Sequence, residues 1–222
     1  DPKIQIQAAV SVRNLSFNPE NEVRIARENG IPPLVSLLRS PDLRIQEHVL
    51  VTLRNISINA DNKSRIVQEG SLPPLVFLLK SSSDTIQQLA AGVLRNLASN
   101  IINQNKIVQE NALQPLFALC QSPKMAVVEQ ALGCLRNLSV SPENEILMVQ
   151  QGGLPVLVGC LRTDEKNIKE HALVIFRNLS VNPDNKVKIV QEGALKSLIQ
   201  LMGSQNLNLQ EQAAIAVRNL ST

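Results

Sequence analysis

The chain has 222 residues, 44% of them hydrophobic, with four Phe and no Trp or Tyr, and its 22 basic and 19 acidic residues leave a formal charge of +3. So small a net charge argues against a nucleic-acid binder that works by bulk charge, and the scarcity of aromatics leaves Leu, Ile, Val and Ala to build the core, which favours helix-on-helix layers over a sheet sandwich. No run of about 18 apolar residues marks a transmembrane insertion, and no signal or lipidation pattern is present. Cys120, Cys134 and Cys160 lie in apolar helical runs without metal-type spacing, as reduced thiols do. The expectation is a soluble cytoplasmic protein, with the nucleus or a membrane surface reached only through regions outside this chain. Its opening on Asp1-Pro2 in mid-repeat is read as the start of a fragment.

The first predicted helix covers 2–16 and ends in Arg13-Asn14-Leu15-Ser16. That tetrapeptide, or a one-residue variant, returns as Arg54-Asn55-Ile56-Ser57, Arg95-Asn96-Leu97-Ala98, Arg136-Asn137-Leu138-Ser139, Arg177-Asn178-Leu179-Ser180 and Arg218-Asn219-Leu220-Ser221, each 41 residues after the last. A gapless period of this length defines a solenoid of two- or three-helix repeats. We read 1–222 as one such solenoid, with a partial repeat 1–17 and full repeats 18–58, 59–99, 100–140, 141–181 and 182–222.

Within the first full repeat a short helix is predicted over 20–28, capped by Asn18 with Pro19 in its first turn. The position after it reads Asn29, Gly70, Asn111, Gly152 and Gly193, the two residue types that enter the left-handed region most cheaply, so it should end the helix. A second helix is predicted from Pro32 to Arg39, with Leu34 and Leu37 heading its apolar columns. The third and longest runs from Leu43 to Ser57, with Ile45, Val49, Leu53 and Ile56 at steps of four, four and three on one face. The result is an all-α fold with three helices per repeat.

The polar residues of the third helix fall on another face. Asn55 lies four residues after Val51 and eight after Glu47, and Arg54 borders the same face. The equivalents of Val51 are Gly92, Gly133, Val174 and Ile215, a floor of small or aliphatic residues. Those of Glu47 are Gln88, Glu129, Glu170 and Glu211, an acidic rim. Asn is disfavoured inside helices, so its return in every repeat requires a compensation. Two readings stand together: Asn and Arg brace neighbouring repeats, or they form a ladder that binds an extended segment of another protein. In the second reading the carboxamide offers donor and acceptor to a peptide backbone. Arg13, Arg54, Arg95, Arg136, Arg177 and Arg218 would favour an acidic segment, moderated by the Glu rim.

Catalytic chemistry finds no footing. The serines of the motif have no associated base, and no phosphate loop, cofactor site or small-molecule substrate site is expected. His48 and His171 share a column three repeats apart, too far to hold one metal, and read as partly exposed structural or groove-rim residues. RNA binding would need a continuous basic groove with stacking aromatics, which the Glu column and the composition oppose. The alternative from another class is an assembly scaffold using outer surfaces or repeat ends, where Ile4, Ala8 and Val12 would allow end-to-end self-association.

The repeat length, the Gly or Asn before the second helix, the Leu-rich second helix and the Asn near the end of the third resemble armadillo repeats over the whole chain. That resemblance implies a non-enzymatic right-handed α-α superhelix whose third helices line a groove for extended peptides. The family's ladder asparagine then corresponds to Asn14, Asn55, Asn96, Asn137, Asn178 and Asn219. Nuclear import adaptors of the family carry Trp four residues before this Asn. Here those places are Val10, Val51, Gly92, Gly133, Val174 and Ile215, so import-signal binding is not expected. The Arg before each Asn resembles catenin-like members, where acidic tails dock, and the gapless spacing resembles vacuolar, plant and protist armadillo proteins and equally a consensus-like or engineered array.

Overall fold

The computed structural model describes residues 2–221, and among the described residues all regular structure is helical, in sixteen helices. Two compact units are formed, Asp1–Pro115 and Leu116–Thr222. In the first, α1 (Pro2–Leu15) precedes the repeat made of α2 (Pro19–Arg27), α3 (Ile31–Leu37) and α4 (Leu43–Ile56). The repeat α5 (Ala60–Gln68), α6 (Leu72–Leu78) and α7 (Asp84–Ala98) follows, then α8 (Ile101–Gln109) and α9 (Leu113–Leu119), within which the division falls. The second unit continues with α10 (Met125–Leu138). It then has α11 (Pro142–Gln150), α12 (Gly153–Leu161) and α13 (Lys166–Leu179), followed by α14 (Pro183–Gln191), α15 (Ala194–Met202) and α16 (Leu207–Ser221).

Local chemistry sets these boundaries. Asn18, Asn59, Asn100 and Asn182 each accept a backbone N–H with the side-chain oxygen at a first-helix N-terminus, while Asp42 and Ser83 do so for α4 and α7. Each such cap is worth about 1 kcal/mol. The first helices end where expected: Asn29 and Asn111 have φ of 62° and 61°, and Gly70, Gly152 and Gly193 have φ of 75°, 78° and 83°. The second helix is shorter than the predicted 32–39. Its exit tightens, with the N–H groups of Leu38 and Arg39 bonding the carbonyls of Val35 and Ser36, so the α pattern stops at Leu37.

Inside the first unit α1 packs on α4 and α4 on α7; inside the second α10 packs on α13 and α13 on α16. The predicted core columns occupy these contacts: Leu53, Ile56, Leu94, Leu97, Leu135, Leu138, Phe176 and Leu179 are all 0% exposed. Truncating one to Ala removes about 2–5 kcal/mol. Close approach also explains Gly153, where a Cβ would fall 2.5 Å from the buried Phe117 ring. None of the described helices is long and apolar enough to cross a membrane.

Candidate functional site

The six Arg-Asn pairs occupy the last turns of α1, α4, α7, α10, α13 and α16, so equivalent carboxamides recur from one third helix to the next within each unit. The donors of four of them turn toward the preceding repeat. Asn55 Nδ2 lies 3.0 Å from Ser16 Oγ, Asn96 Nδ2 is 3.0 Å from both Ser57 Oγ and the Arg54 carbonyl, and Asn178 Nδ2 is 2.9 Å from Ser139 Oγ. Asn219 Nδ2 donates to Ser180 Oγ at 3.3 Å and to the Arg177 carbonyl at 3.2 Å.

Each of those hydroxyls in turn donates to the carbonyl of its own motif arginine: Ser16 to Arg13, Ser57 to Arg54, Ser139 to Arg136 and Ser180 to Arg177, at 2.7–2.9 Å. Asn, Ser and the Arg backbone therefore form one relay across two repeats, which accounts for the serine closing the motif. The expected dual use of the carboxamide is divided. In these four repeats the N–H side braces the scaffold; Asn55 is buried, the Asn178 Oδ1 also accepts from Arg177 at 3.4 Å, and Asn96 is half-buried. Asn14 is exposed, and Asn137 is half-buried with an interaction of its own.

The arginines also have a structural partner column, 35 residues on. Arg13 lies 3.1 Å from His48 Nδ1, which must present its lone pair, and Arg177 donates to Gln212 Oε1 at 2.8 Å. Opposite Arg54 that column holds the buried Leu89. Among the described residues nothing hydrogen-bonds or ion-pairs with the half-exposed Arg54 guanidinium. Arg136 and Arg218 are exposed, and Arg95 is half-buried and engaged.

The floor residues are packed more than they are open: Val51 is 7% exposed, Gly92 and Gly133 are buried, and Val174 is half-buried. Apolar residues that follow four of the motifs are open instead. Phe17, Ile58, Val140 and Val181 are 61%, 66%, 56% and 62% exposed. Glu47, Glu129 and Glu170 are half-buried at the rim, and Glu170 sits 3.7 Å from Lys166 of its own helix. The shared exposure expected for the two histidines does not hold, because His171 is buried while His48 is half-exposed.

A second asparagine ladder accompanies the first. Asn21, Asn62, Asn103, Asn144 and Asn185 recur at the same 41-residue period in the first helix. Asn21, Asn62, Asn103 and Asn144 bond the carbonyls of Leu15, Ile56, Leu97 and Leu138 at 2.9–3.2 Å. Asn62 and Asn185 also reach back to the preceding first helix, at the Glu22 and Glu145 carbonyls, 3.1 and 3.3 Å away. The next position reads Glu22, Lys63, Gln104, Glu145 and Lys186. Gln104 donates from Nε2 to the Ala98 carbonyl at 3.1 Å, whereas burial pushes the Glu22 carboxyl up and that of Glu145 to about 7. Among the described residues no cluster of three or more His, Cys, Asp or Glu side chains is placed to hold a metal.

A family model for the Armadillo/beta-catenin-like repeat matches residues 18–58, 59–99, 103–140, 141–181 and 182–222. The designed armadillo repeat protein YIII(Dq)4CqI superposes with a TM-score of 0.92 at 23% identity, covering 99% of this chain and 94% of that one. An engineered protein gives a TM-score of 0.93 at 28% identity, covering 100% of this chain and 92% of its own. Another designed armadillo protein, YIII(Dq.V1)4CPAF in complex with the peptide (KR)4, gives 0.88 at 24% identity over 97% and 91% of the two chains. No curated protein matches. Fold and ladder define an all-helical repeat scaffold. The chain belongs to the armadillo repeat family and has its solenoid fold.

Proposed function

We propose that this chain is a non-enzymatic scaffold that binds an extended, acidic segment of another protein along the ends of its third helices. The observation carrying the proposal is the asymmetry of the ladder: the Nδ2 groups of Asn55, Asn96, Asn178 and Asn219 are held by the preceding repeat. A bound main chain donates an N–H to the carboxamide oxygen of a half-buried rung such as Asn96, whose donor is already held. Within each unit, third helices about 9–10 Å apart and a strand rise of about 3.3 Å per residue let successive rungs address every third residue of the segment. Phe17, Ile58, Val140 and Val181 supply apolar contact beside it, and the unanchored Arg54 and the exposed Arg136 supply positive charge.

The designed relative complexed with (KR)4 supports extended-peptide binding by this fold. Arginine at every rung of this chain sets the opposite charge preference. The test is fluorescence anisotropy with acidic, neutral and Lys/Arg-rich peptides, on the parent chain and on R54E combined with R136E. Acidic peptides are expected to bind best, to weaken at least tenfold in the double variant and to weaken with salt. Equal binding of all three peptides, or a basic preference unchanged by the reversal, overturns the reading.

A second reading, end-to-end assembly, draws on an apolar cleft of ≈360 Å³ lined by Ala8, Val12, Leu15, Ile25, Leu34 and Leu37, beside the 69%-exposed Ile4. Sedimentation across a concentration series decides it: a mass independent of concentration removes assembly.

A further inference from the structure

The second unit holds a thiol pair that the ladder does not use. Cys120 follows the second helix of one repeat, in the column of Leu38 and Leu79, and Cys160 lies in the last turn of α12 in the next, in the column of Leu37 and Leu78. Both are largely buried, 8% and 6% exposed, and line an open cavity of ≈380 Å³ together with Met125, Val128, Val156 and Gly159. At Gly159, which is exposed, a Cβ would meet nothing within 4 Å, which places that residue at the open side. The cavity lies at the start of α10. Arg136 is eleven residues on, about 16 Å along the helix at 1.5 Å per residue, so the two sites are separate.

The two sulfurs interact and differ in acidity. Hydrogen bonding with Cys160, then burial, pushes the Cys120 thiol well up, while the same contact lowers Cys160. Attack in exchange chemistry is made by the thiolate, so Cys160 is the nucleophile and Cys120 the resolving group. The third thiol, Cys134, is 0% exposed in the packed face of α10 and does not line the cavity.

We propose that Cys120 and Cys160 form a dithiol site that reacts with small-molecule disulfides entering this cavity and closes to a disulfide joining two consecutive repeats. The Cys160 thiol releases its proton to solvent, and its sulfur attacks one sulfur of the small disulfide. The old S–S bond breaks, and the departing thiolate takes up a proton. In the mixed disulfide Cys160 no longer holds the Cys120 proton in place. Cys120 loses it and attacks the Cys160 sulfur, and the second small thiol leaves. Two electrons pass from the protein to the small disulfide, which becomes two thiols. The bridge restricts the unfolded chain, so the oxidised protein melts higher.

The experiment incubates the folded chain with glutathione disulfide at pH 8 and follows it by intact mass, non-reducing peptide mapping and thermal melting. The expected product has lost two hydrogens, links the Cys120 and Cys160 peptides, and melts above the reduced form. C134S reacts alike, and C120S stops at a single glutathione adduct on Cys160. G159F, which takes the residue found at the equivalent Phe77 and leaves both thiols in place, slows the reaction at least fivefold while circular dichroism is unchanged. Failure of the folded parent to react, a first adduct on Cys120 or Cys134, a link between two chains, or an unchanged rate in G159F overturns the proposal.

Discussion

The most searching test of the packing account concerns Glu145, a carboxyl buried where the repeats on either side place the amide of Gln104 and the amine of Lys186. It is 7% exposed in α11, and burial raises its carboxyl from 4.5 to about 7. Between these values the folded chain holds a proton that the unfolded chain has lost, so stability falls as pH rises through this window and the full penalty applies above pH 7. Taken at face value the shift corresponds to roughly 3 kcal/mol at 1.36 kcal/mol per unit, and solvent reaching a rim position reduces this to about 1–2 kcal/mol.

Gln104, the equivalent residue one repeat earlier, shows the remedy: its Nε2 bonds the carbonyl six residues before it. E145Q removes the charge and introduces the same donor toward the third-helix end. At pH 8.5 it should raise the melting temperature by about 3–6 °C. At pH 5, where the wild-type carboxyl is mainly neutral, the gain should shrink to the contribution of the amide alone. Thermal unfolding by circular dichroism across pH 5–8.5 measures both, with E192Q as an exposed control. An equal gain at pH 5 and pH 8.5 would assign the effect to shape rather than charge, and no gain at pH 8.5 would refute the burial argument.

Three further expectations follow from the relays and turns. S139A leaves the Asn178 Nδ2 without its acceptor and should cost about 1–3 kcal/mol in urea unfolding, whereas S57A leaves Asn96 the Arg54 carbonyl and should cost less than about 1 kcal/mol. L89Q gives Arg54 the partner that Gln212 gives Arg177; with net charge unchanged, anisotropy should show weaker acidic-peptide binding and a shallower salt dependence. G152A places a Cβ at φ 78° and should cost about 1–2 kcal/mol in the same unfolding assay, while N111G, where the native φ is 61°, should be nearly neutral.

Helix order, core columns and left-handed turns were legible because each depends on residues close in sequence or on a period repeated without gaps. The reversal at Asn29, Gly70, Asn111, Gly152 and Gly193 needs no knowledge of neighbouring repeats. What lay beyond reach depends on the rotation of one repeat against the next. The Arg13–His48 and Arg177–Gln212 bonds connect columns 35 residues apart, an offset no helical period suggests. Cys120 and Cys160 occupy neighbouring columns and meet only once second helices are stacked. The first-helix asparagines did carry a signal, since Asn returns at 21, 62, 103, 144 and 185. An amide inside a short polar helix nonetheless looks like a solvated one until its carbonyl partners are placed.

The two asparagine ladders explain why amides repeat through a solenoid whose core is aliphatic. Apolar columns stabilise stacking but tolerate sliding, since one Leu replaces another at little cost in contact. A carboxamide bound to a named carbonyl of the neighbouring repeat admits one offset, because a slip leaves a buried donor unpaired at about 1–3 kcal/mol. Asn62 illustrates the constraint, bonding Ile56 at the end of the preceding third helix and Glu22 in the preceding first helix at once. Asn96 applies it at the ladder, with Nδ2 fixed by Ser57 and Arg54. Bracing and recognition are therefore coupled in the same side chain: holding the donor orients the acceptor. N96D retains acceptor oxygens but removes both donors. It should lose peptide affinity together with stability, whereas R54E should lose affinity alone. Parallel melting and anisotropy measurements that found N96D binding normally would separate the two roles and sink the coupling.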